Sequence, residues 1–595
     1  MNARTPSPLS RMLSATGLAA ICTATVLTLA TPGAGQAGEW DVDGIEELVP
    51  REETSAERET WRALGSPSSA RVLADPPPAA PIRNCAEWEP VTGVLVRYPL
   101  GLPYTLLRDI ADSVTLHVVV SSSLQTTAET NLTNNGVNMG NVEFLVEPNN
   151  SIWTRDYGPW FVFDGNDDLT IIDHVYNRPT RPNDNLIPVR FGQQQGIPVV
   201  SHDMLHTGGN YMTDGAHISS STELVYNEAG SQQGMSEEDV NTLMGNYYGV
   251  AEYSVLDYIE NGGIHHIDTW AKFLDEENVL VKDVWQSHPT YGPLNQRATL
   301  LASLPASTGR NYQVERVYCY NIGGNSPASY TNSLIVNDQI MVPLFGSTTD
   351  DNNALAVYEA AAPGYQVRGY FYGGWISDDA LHCRTKGVMD VGMLRVSHVP
   401  TVTDQSGAVT MAAKIQAHSE AAITSAELIY RHGTGSWQTV VLTLDGANQF
   451  SGQIPAPAST ETCDYYLHAA DASGRTEGMP RTEPDHFYSF VHSPDVATVP
   501  DAIGSPPLAQ NFPNPFHDAT TFSFELAEPE RVDLAVFDAQ GRRVRLLVNE
   551  IRRAGAHQII WDGHDDKGEP LPAGVYLYRL RAAGLEYSRP AQLMR

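Results

Sequence analysis

Five stretches of this chain carry reactive or charged side chains at matching points of a recurring pattern. WTRDYGPW holds Asp156, and HTGGNYMTDG follows at 206–215. GGIHHIDTW holds His266 and Asp268, GGNSPASYTN holds Asn325 and Asn332, and DDALHCRTK holds Cys383. The steps from Asp156 to Gly209, Asp268, Asn332 and Cys383 are 53, 59, 64 and 51 residues. A thiol, an imidazole, two carboxylates and amides suit nucleophilic attack on a planar cation. Two carboxylates can hold a guanidinium by paired charge-assisted hydrogen bonds. A thiolate can then add to its electron-poor carbon. His266 as imidazolium can stabilise the thiolate and protonate departing ammonia, and as neutral imidazole it can activate water. Such a reaction requires no metal or other cofactor, because the substrate already carries the charge. Taken singly, each residue has a plainer reading. A lone Cys is usually a buried hydrophobe, and Asp156 beside Arg155 is usually an ion pair. His266-X-Asp268 resembles a metal fragment, but no Cys or His at ligand spacing completes it. The shared position in successive repeats favours chemistry.

The elements that must position these residues are legible as a repeat. FVFDGNDDLTIIDHVY (161–176), NYMTDGAHISSSTELVYN (210–227), WAKFLDEENVLVKDVW (270–285) and SLIVNDQIMVPLFG (333–346) each read as a strand, a turn rich in Asp, Asn or Gly, and a second strand. Helix-then-strand pieces lie beside them. GLPYTLLRDI precedes SVTLHVVV, NQRATLLASL precedes YQVERVYCY, and SEEDVNTLMG opens with a capping box at Ser236 and Asp239. GVMDVGMLRVSH reads as a last strand after Cys383. Five such units around an axis would bring the residues before each hairpin to the centre. After His398 the pattern changes to period two, which reads as an immunoglobulin-like sandwich over 397–493. A linker (494–507) and a second all-β unit (508–595) follow.

The 595 residues exceed one core. A net charge of −33 repels phosphate backbones and anionic membranes and excludes nucleic-acid binding. Arg4 and Arg11 precede an apolar stretch and the small residues TPGAGQA, which predicts a signal peptide over 1–37. Residues 38–84 read as an acidic, then Pro-rich, spacer or pro-segment. No later apolar run spans a bilayer. The four remaining cysteines do not form a disulfide framework, although a Cys85–Cys319 pair stays open.

WTRDYGPW, YNRPTRPNDN, TGGNYMTDG, HHIDTWAKFL, YTNSLIVN and DALHCRTK closely resemble segments of the Porphyromonas-type bacterial peptidylarginine deiminases. With the agmatine deiminases, these belong to the guanidine-modifying pentein superfamily. The resemblance covers roughly residues 85–395. It implies an α/β class, with a five-bladed pentein propeller over 85–396. It also implies hydrolysis of an arginine guanidinium to citrulline and ammonia through a thiouronium intermediate. Carried over, Cys383 is the nucleophile, His266 the general acid/base, and Asp156 and Asp268 the guanidinium clamps. Trp153 packs on the substrate's aliphatic stem, and Asp214 and Asn325 match pocket positions. Arg178 and Arg181 match two arginines that bind a substrate carboxylate in members acting on peptides or free arginine. Agmatine has no carboxylate. This chain departs from the pattern at Thr180, inserted between those arginines, at Gly263 in place of a pocket tyrosine, and at His265 in place of an asparagine.

Residues 397–493 fit the immunoglobulin-like domain that follows the catalytic domain in that family. NFPNPF, VFDAQGRRVRLLV and WDGHDDKGEPLPAGVYLYRL resemble C-terminal sorting domains of cell-surface proteins, often associated with type IX secretion. WDGHDDKGE reads as a tight turn rather than a calcium loop. The expectation is a secreted or surface-held deiminase acting on arginine-containing peptides or free arginine, with outer-surface attachment through the C-terminal domain. A small-guanidine (agmatine) deiminase and a non-catalytic surface adhesin are the alternatives.

Overall fold

A computed structural model describes residues 74–494 except 261 and 262, most of 508–593, and Thr54, Glu57, Glu59 and Thr60 of the N-terminal segment. The expected signal segment and residues 495–507 of the expected linker lie outside the described residues. The chain divides into two units between Val391 and Gly392. No described helix is long and apolar enough to cross a membrane.

The first unit is mixed α/β, with five small sheets among the described residues. Four of them share one plan, an antiparallel hairpin whose second strand pairs in parallel with a third strand reached through a helical connection. Trp160–Phe163, Leu169–Tyr176 and Val199–His206 form one, with Arg83–Asn84 added at its edge. Met212–Thr213, Ile218–Thr222 and Glu252–Leu256 form the next. Ala271–Phe273, Asn278–Asp283 and Gln313–Tyr318 form another, and Leu334–Val336, Gln339–Leu344 and Gln366–Phe371 the fourth. In the fifth, Val91–Arg97, Thr115–Val120 and Val142–Val146 run parallel, and Lys386–Met389 pairs antiparallel with Val91–Arg97. The strand directly after Cys383 therefore joins the start of the unit to its end.

Local sequence explains these elements. All eight residues of Leu169–Tyr176 are buried, so the strand is covered on both faces, with Thr170, Asp173 and His174 buried among its apolar residues. Asp164 accepts N–H bonds from Asn166 and Asp168 and closes the preceding turn, where Asp167 takes φ 66°. The helix Glu237–Tyr248 starts at the Ser236–Asp239 capping box and stops at Gly249, with φ 70°.

Two expectations change, and the question of a Cys85–Cys319 pair is closed. Within 210–227 the second strand is only Ile218–Thr222, and Leu224–Glu228 is helical. The expected strand GVMDVGMLRVSH is two strands. Lys386–Met389 belongs to the first unit, and Leu394–Ser397 pairs with Val409–Ala417 in the second, so the boundary precedes residue 397. Cys85 and Cys319 are separate buried thiols.

The second unit is all-β. Leu394–Ser397, Val409–Ala417, Gln449–Ile454 and Thr443–Gly446 form one sheet. Ile423–His432, Glu461–Asp471 and Tyr488–Ser493 are central to another, and the two sheets share an apolar core around Leu428, Tyr465 and Phe490. Residues 508–593 form two further sheets around Phe522, Trp561 and Tyr578. WDGHDDKGE is a turn in which Asp565 Oδ1 accepts from the N–H groups of Lys567 and Glu569.

Candidate active site

Four short helical turns bring the candidate residues together. Thr154–Tyr157 packs against both Gly208–Asn210 and His382–Arg384, and Gly208–Asn210 packs against Ile267–Thr269. Gly208 permits this approach, because an added Cβ would collide with the Arg155 carbonyl oxygen. Asn210 ties two turns together. Its Oδ1 accepts from the N–H of Thr222 at 3.0 Å and of Ile267 at 3.2 Å, and so fixes the turn that bears His266 and Asp268.

Asp156, His266, Asp268 and Cys383 are each at most 1% exposed. His266 Nδ1 lies 3.5 Å from Asp156 Oδ1. Cys383 Sγ lies 3.7 Å from Asp268 Oδ2 and 3.3 Å from Asn332 Oδ1. Asn332 also bonds the backbone at the thiol and just before it. Its Oδ1 accepts from the N–H of Ala380 at 3.1 Å and of Cys383 at 3.3 Å, and its Nδ2 donates to the Asp268 carbonyl at 3.2 Å. Trp153 is buried against Ile152 and Cys383, with the Arg384 guanidinium 5.7 Å from its ring. Arg384 in turn donates to the Gly101 carbonyl at 2.6 Å and pairs with Asp379, which anchors the residue following Cys383.

Beneath this cluster lies a charge network that pattern reasoning missed. His382 Nδ1 is 2.8 Å from Asp268 Oδ2, and its Nε2 is 2.7 Å from Glu87 Oε2. Glu87 also pairs with Arg155 at 3.3 Å and with Lys272. Burial alone would raise the Glu87 carboxyl, but Arg155, Lys272 and His382 hold it well below the usual carboxylate range. Burial lowers Lys272 to about 8 despite Glu87. Burial and the Arg155 charge also lower His382. A neutral ring donates through one nitrogen only, so facing two carboxylates requires a further proton within the network. His382 stood in the motif beside Cys383. Glu87 had no signal, because its partners lie far away in sequence.

Of two expected pocket residues, Asn325 lies on an exposed turn, whereas Asp214 is buried with one oxygen bound by its own turn and Oδ2 buried without a hydrogen bond. Asp214 Oδ1 accepts from the N–H groups of Ala216, His217 and Ile218 at 2.9, 3.1 and 3.0 Å, which commits that oxygen to the hairpin turn. Asn325 sits exposed at φ 67°, with its carbonyl bonded by His288 Nε2. The amide at the thiol is Asn332, from the same stretch. At Gly263, φ is 94° and an added Cβ would lie 2.9 Å from Glu260 Oε1, so a carboxyl lies close to that glycine. His265 stacks on Tyr258 with ring centroids 3.9 Å apart.

Arg178 and Arg181 are buried. Arg181 Nη1 bonds Tyr176 OH at 3.2 Å, and the Tyr176 ring packs 5.9 Å from that of Tyr157, next to Asp156. Arg178 Nη1 lies 3.9 Å from Glu228 Oε1, and Arg181 Nε lies 3.0 Å from Glu57 Oε1. Among the described residues, one group has donor atoms close enough to hold a metal ion: His432, Cys463 and His492, in the second unit. Both imidazoles there are already hydrogen-bonded. His432 Nε2 is 2.9 Å from His492 Nδ1, and His492 Nε2 is 2.6 Å from the Gly407 carbonyl.

The sequence model of the Porphyromonas-type peptidyl-arginine deiminases matches residues 84–388, just over half of the chain. The chain belongs to this family. Its members are pentein-type deiminases, hydrolases of C–N bonds. A protein of Legionella pneumophila (strain Paris), provisionally named agmatine deiminase, is 27% identical over 266 residues, covering 41% of this chain and 75% of its own. The agmatine deiminase of Medicago truncatula is 23% identical, covering 37% and 70%. Among solved structures, the agmatine deiminase of Enterococcus faecalis aligns at 20% identity with a TM-score of 0.48, over 53% of this chain and 98% of that one. Residues 512–585 match the FlgD Ig-like domain.

Proposed function

We propose that this deiminase hydrolyses the guanidinium of a C-terminal or free arginine to citrulline and ammonia, outside the cytoplasm. The five sheets are read as the blades of a propeller whose axis runs through the four turns. In this reading Asp156 and Asp268 hold the guanidinium, and Trp153 covers the aliphatic stem. The Cys383 thiolate adds to the central carbon and forms a C–S bond. One C–N bond then breaks, and the nitrogen leaves as ammonia with a proton from His266. Water adds to the thiouronium carbon and gives a proton to His266. The C–S bond breaks, the thiolate returns, and the urea group of citrulline remains.

The observation that carries the preference for a carboxylate-bearing substrate is the buried pair Arg178 and Arg181 beside Tyr176, with a carboxylate oxygen 3.0 Å from Arg181. A buried guanidinium requires an anion; Glu228 and Glu57 supply it here, a substrate carboxylate could take the place of Glu57, and agmatine brings none. The test is a citrulline assay with an arginine-terminated peptide, its C-terminal amide, free arginine and agmatine, with Cys383→Ala as control. Citrulline from the acid peptide, lost in Cys383→Ala, supports the reading. Turnover of agmatine alone overturns the carboxylate preference. Arg178→Ala with Arg181→Ala should raise KM for arginine at least tenfold and hardly change it for agmatine. Residues 508–595 are read as a secretion and surface-attachment domain. Deleting it should leave the protein inside the producing cell.

A further inference from the structure

Arg181 is paired with a residue from outside the family motif. Glu57 and Arg181 each have side chains 1% exposed, although Glu57 lies in the acidic segment that precedes the catalytic unit. Glu57 Oε1 lies 3.0 Å from Arg181 Nε and accepts from Thr180 Oγ1 at 2.7 Å. Glu57 Oε2 accepts from the Thr54 N–H at 2.7 Å, and Thr54 Oγ1 accepts in return from the Glu57 N–H. This reciprocal capping pair fixes the carboxylate's direction. Thr180, the residue inserted between the two arginines, thus serves as a donor to this carboxylate.

Resting on the reading of Arg178 and Arg181 as a substrate-carboxylate site, we propose that Glu57 is an intramolecular stand-in for that carboxylate. The N-terminal segment then inhibits the enzyme in cis, and a substrate with a free C-terminal carboxylate must displace it. Two carboxylates cannot share the Arg181 Nε face and the Thr180 hydroxyl. The reacting groups are themselves buried, with Cys383 and His266 at 0% exposure, so substrate entry already requires movement. A tethered competitor acts at an effective concentration in the millimolar range. It raises apparent Kd by the inverse of the open fraction, so a closed-to-open ratio of about ten gives an increase of about tenfold.

The test uses the full chain as wild type, Glu57→Gln and Glu57→Ala. Calorimetry measures binding of a peptide ending in citrulline, as the free acid and as the C-terminal amide. The acid should bind about tenfold more tightly to both variants than to wild type, and the amide equally to all three. In parallel, KM for an arginine-terminated peptide should fall by the same factor, with agmatine turnover unchanged. Equal affinity of the acid for wild type and variants overturns the proposal, as does no binding to any of them, whatever the turnover. If the acid binds more tightly to the variants but no protein forms citrulline, the carboxylate site and its plug stand and the proposed reaction fails. Glu57→Gln keeps the side-chain shape and the Thr54 bond, so it separates loss of charge from loss of folding.

Discussion

Asn332 Oδ1 lies 3.3 Å from Cys383 Sγ while also accepting the N–H groups of Cys383 and Ala380. One amide oxygen therefore sets both the backbone that carries the thiol and the polarity around its sulfur. Asn332→Ala should lower kcat by about 10- to 100-fold and stability by about 1–3 kcal/mol, from buried donors left without an acceptor. Asn332→Asp keeps the acceptor but places negative charge beside the sulfur. The thiolate then forms at higher pH. Its iodoacetamide alkylation profile should shift alkaline, and the melting temperature should fall, because a buried carboxylate replaces the amide that donates to the Asp268 carbonyl. An unshifted profile contradicts a role at the sulfur.

Glu87 is the shared counter-ion of Arg155, Lys272 and His382. Glu87→Gln leaves two cations uncompensated and should cost about 3 kcal/mol or more. The folded carboxyl is held below its ordinary value of 4.5. Its stabilising contribution is therefore complete above that value and lost as pH falls through the lower folded value. Wild-type melting temperature should decline below pH 4.5 more steeply than that of Glu87→Gln, measured by scanning calorimetry.

Asp214→Ala should behave as a turn mutation. It removes the acceptor of three N–H groups and should cost about 1–2 kcal/mol by urea unfolding. The expected KM of the folded fraction is unchanged. A large rise in KM with intact stability would return Asp214 to the substrate pocket.

Glu260 is pushed up to about 7 by burial, with the Asp378 charge adding to the effect. The Asp378 carbonyl is 3.9 Å from Cys383 Sγ. As pH rises from 6 to 8, Glu260 gains its charge near the site, while an arginine guanidinium stays protonated. KM for cationic substrates should fall several-fold across this range, and Glu260→Gln should flatten the curve. The stability effect has the opposite sense. The raised pKa favours the folded state fully below 4.5, and that contribution is lost as pH climbs through 7.

The amino-acid sequence by itself determined the repeat, most of its hairpins, the helix caps and the reactive residue types. Strand alternation, Asp/Asn/Gly turns and Ser236–Asp239 capping act within a few residues, so local order encodes them. The spacing of Asp156, Asp268, Asn332 and Cys383 likewise marked one position in successive units. Tertiary structure decided which candidates meet. Asn325 and Asn332 share one stretch, yet left-handed backbone at Asn325 leaves it on an exposed turn while Asn332 reaches the thiol. Asp214 gives one carboxylate oxygen to its own turn and keeps the other buried. Glu87 on His382, and Glu57 on Arg181, join residues 295 and 124 positions apart. No periodicity reports such pairs, because buried charges find partners through the packing of distant segments.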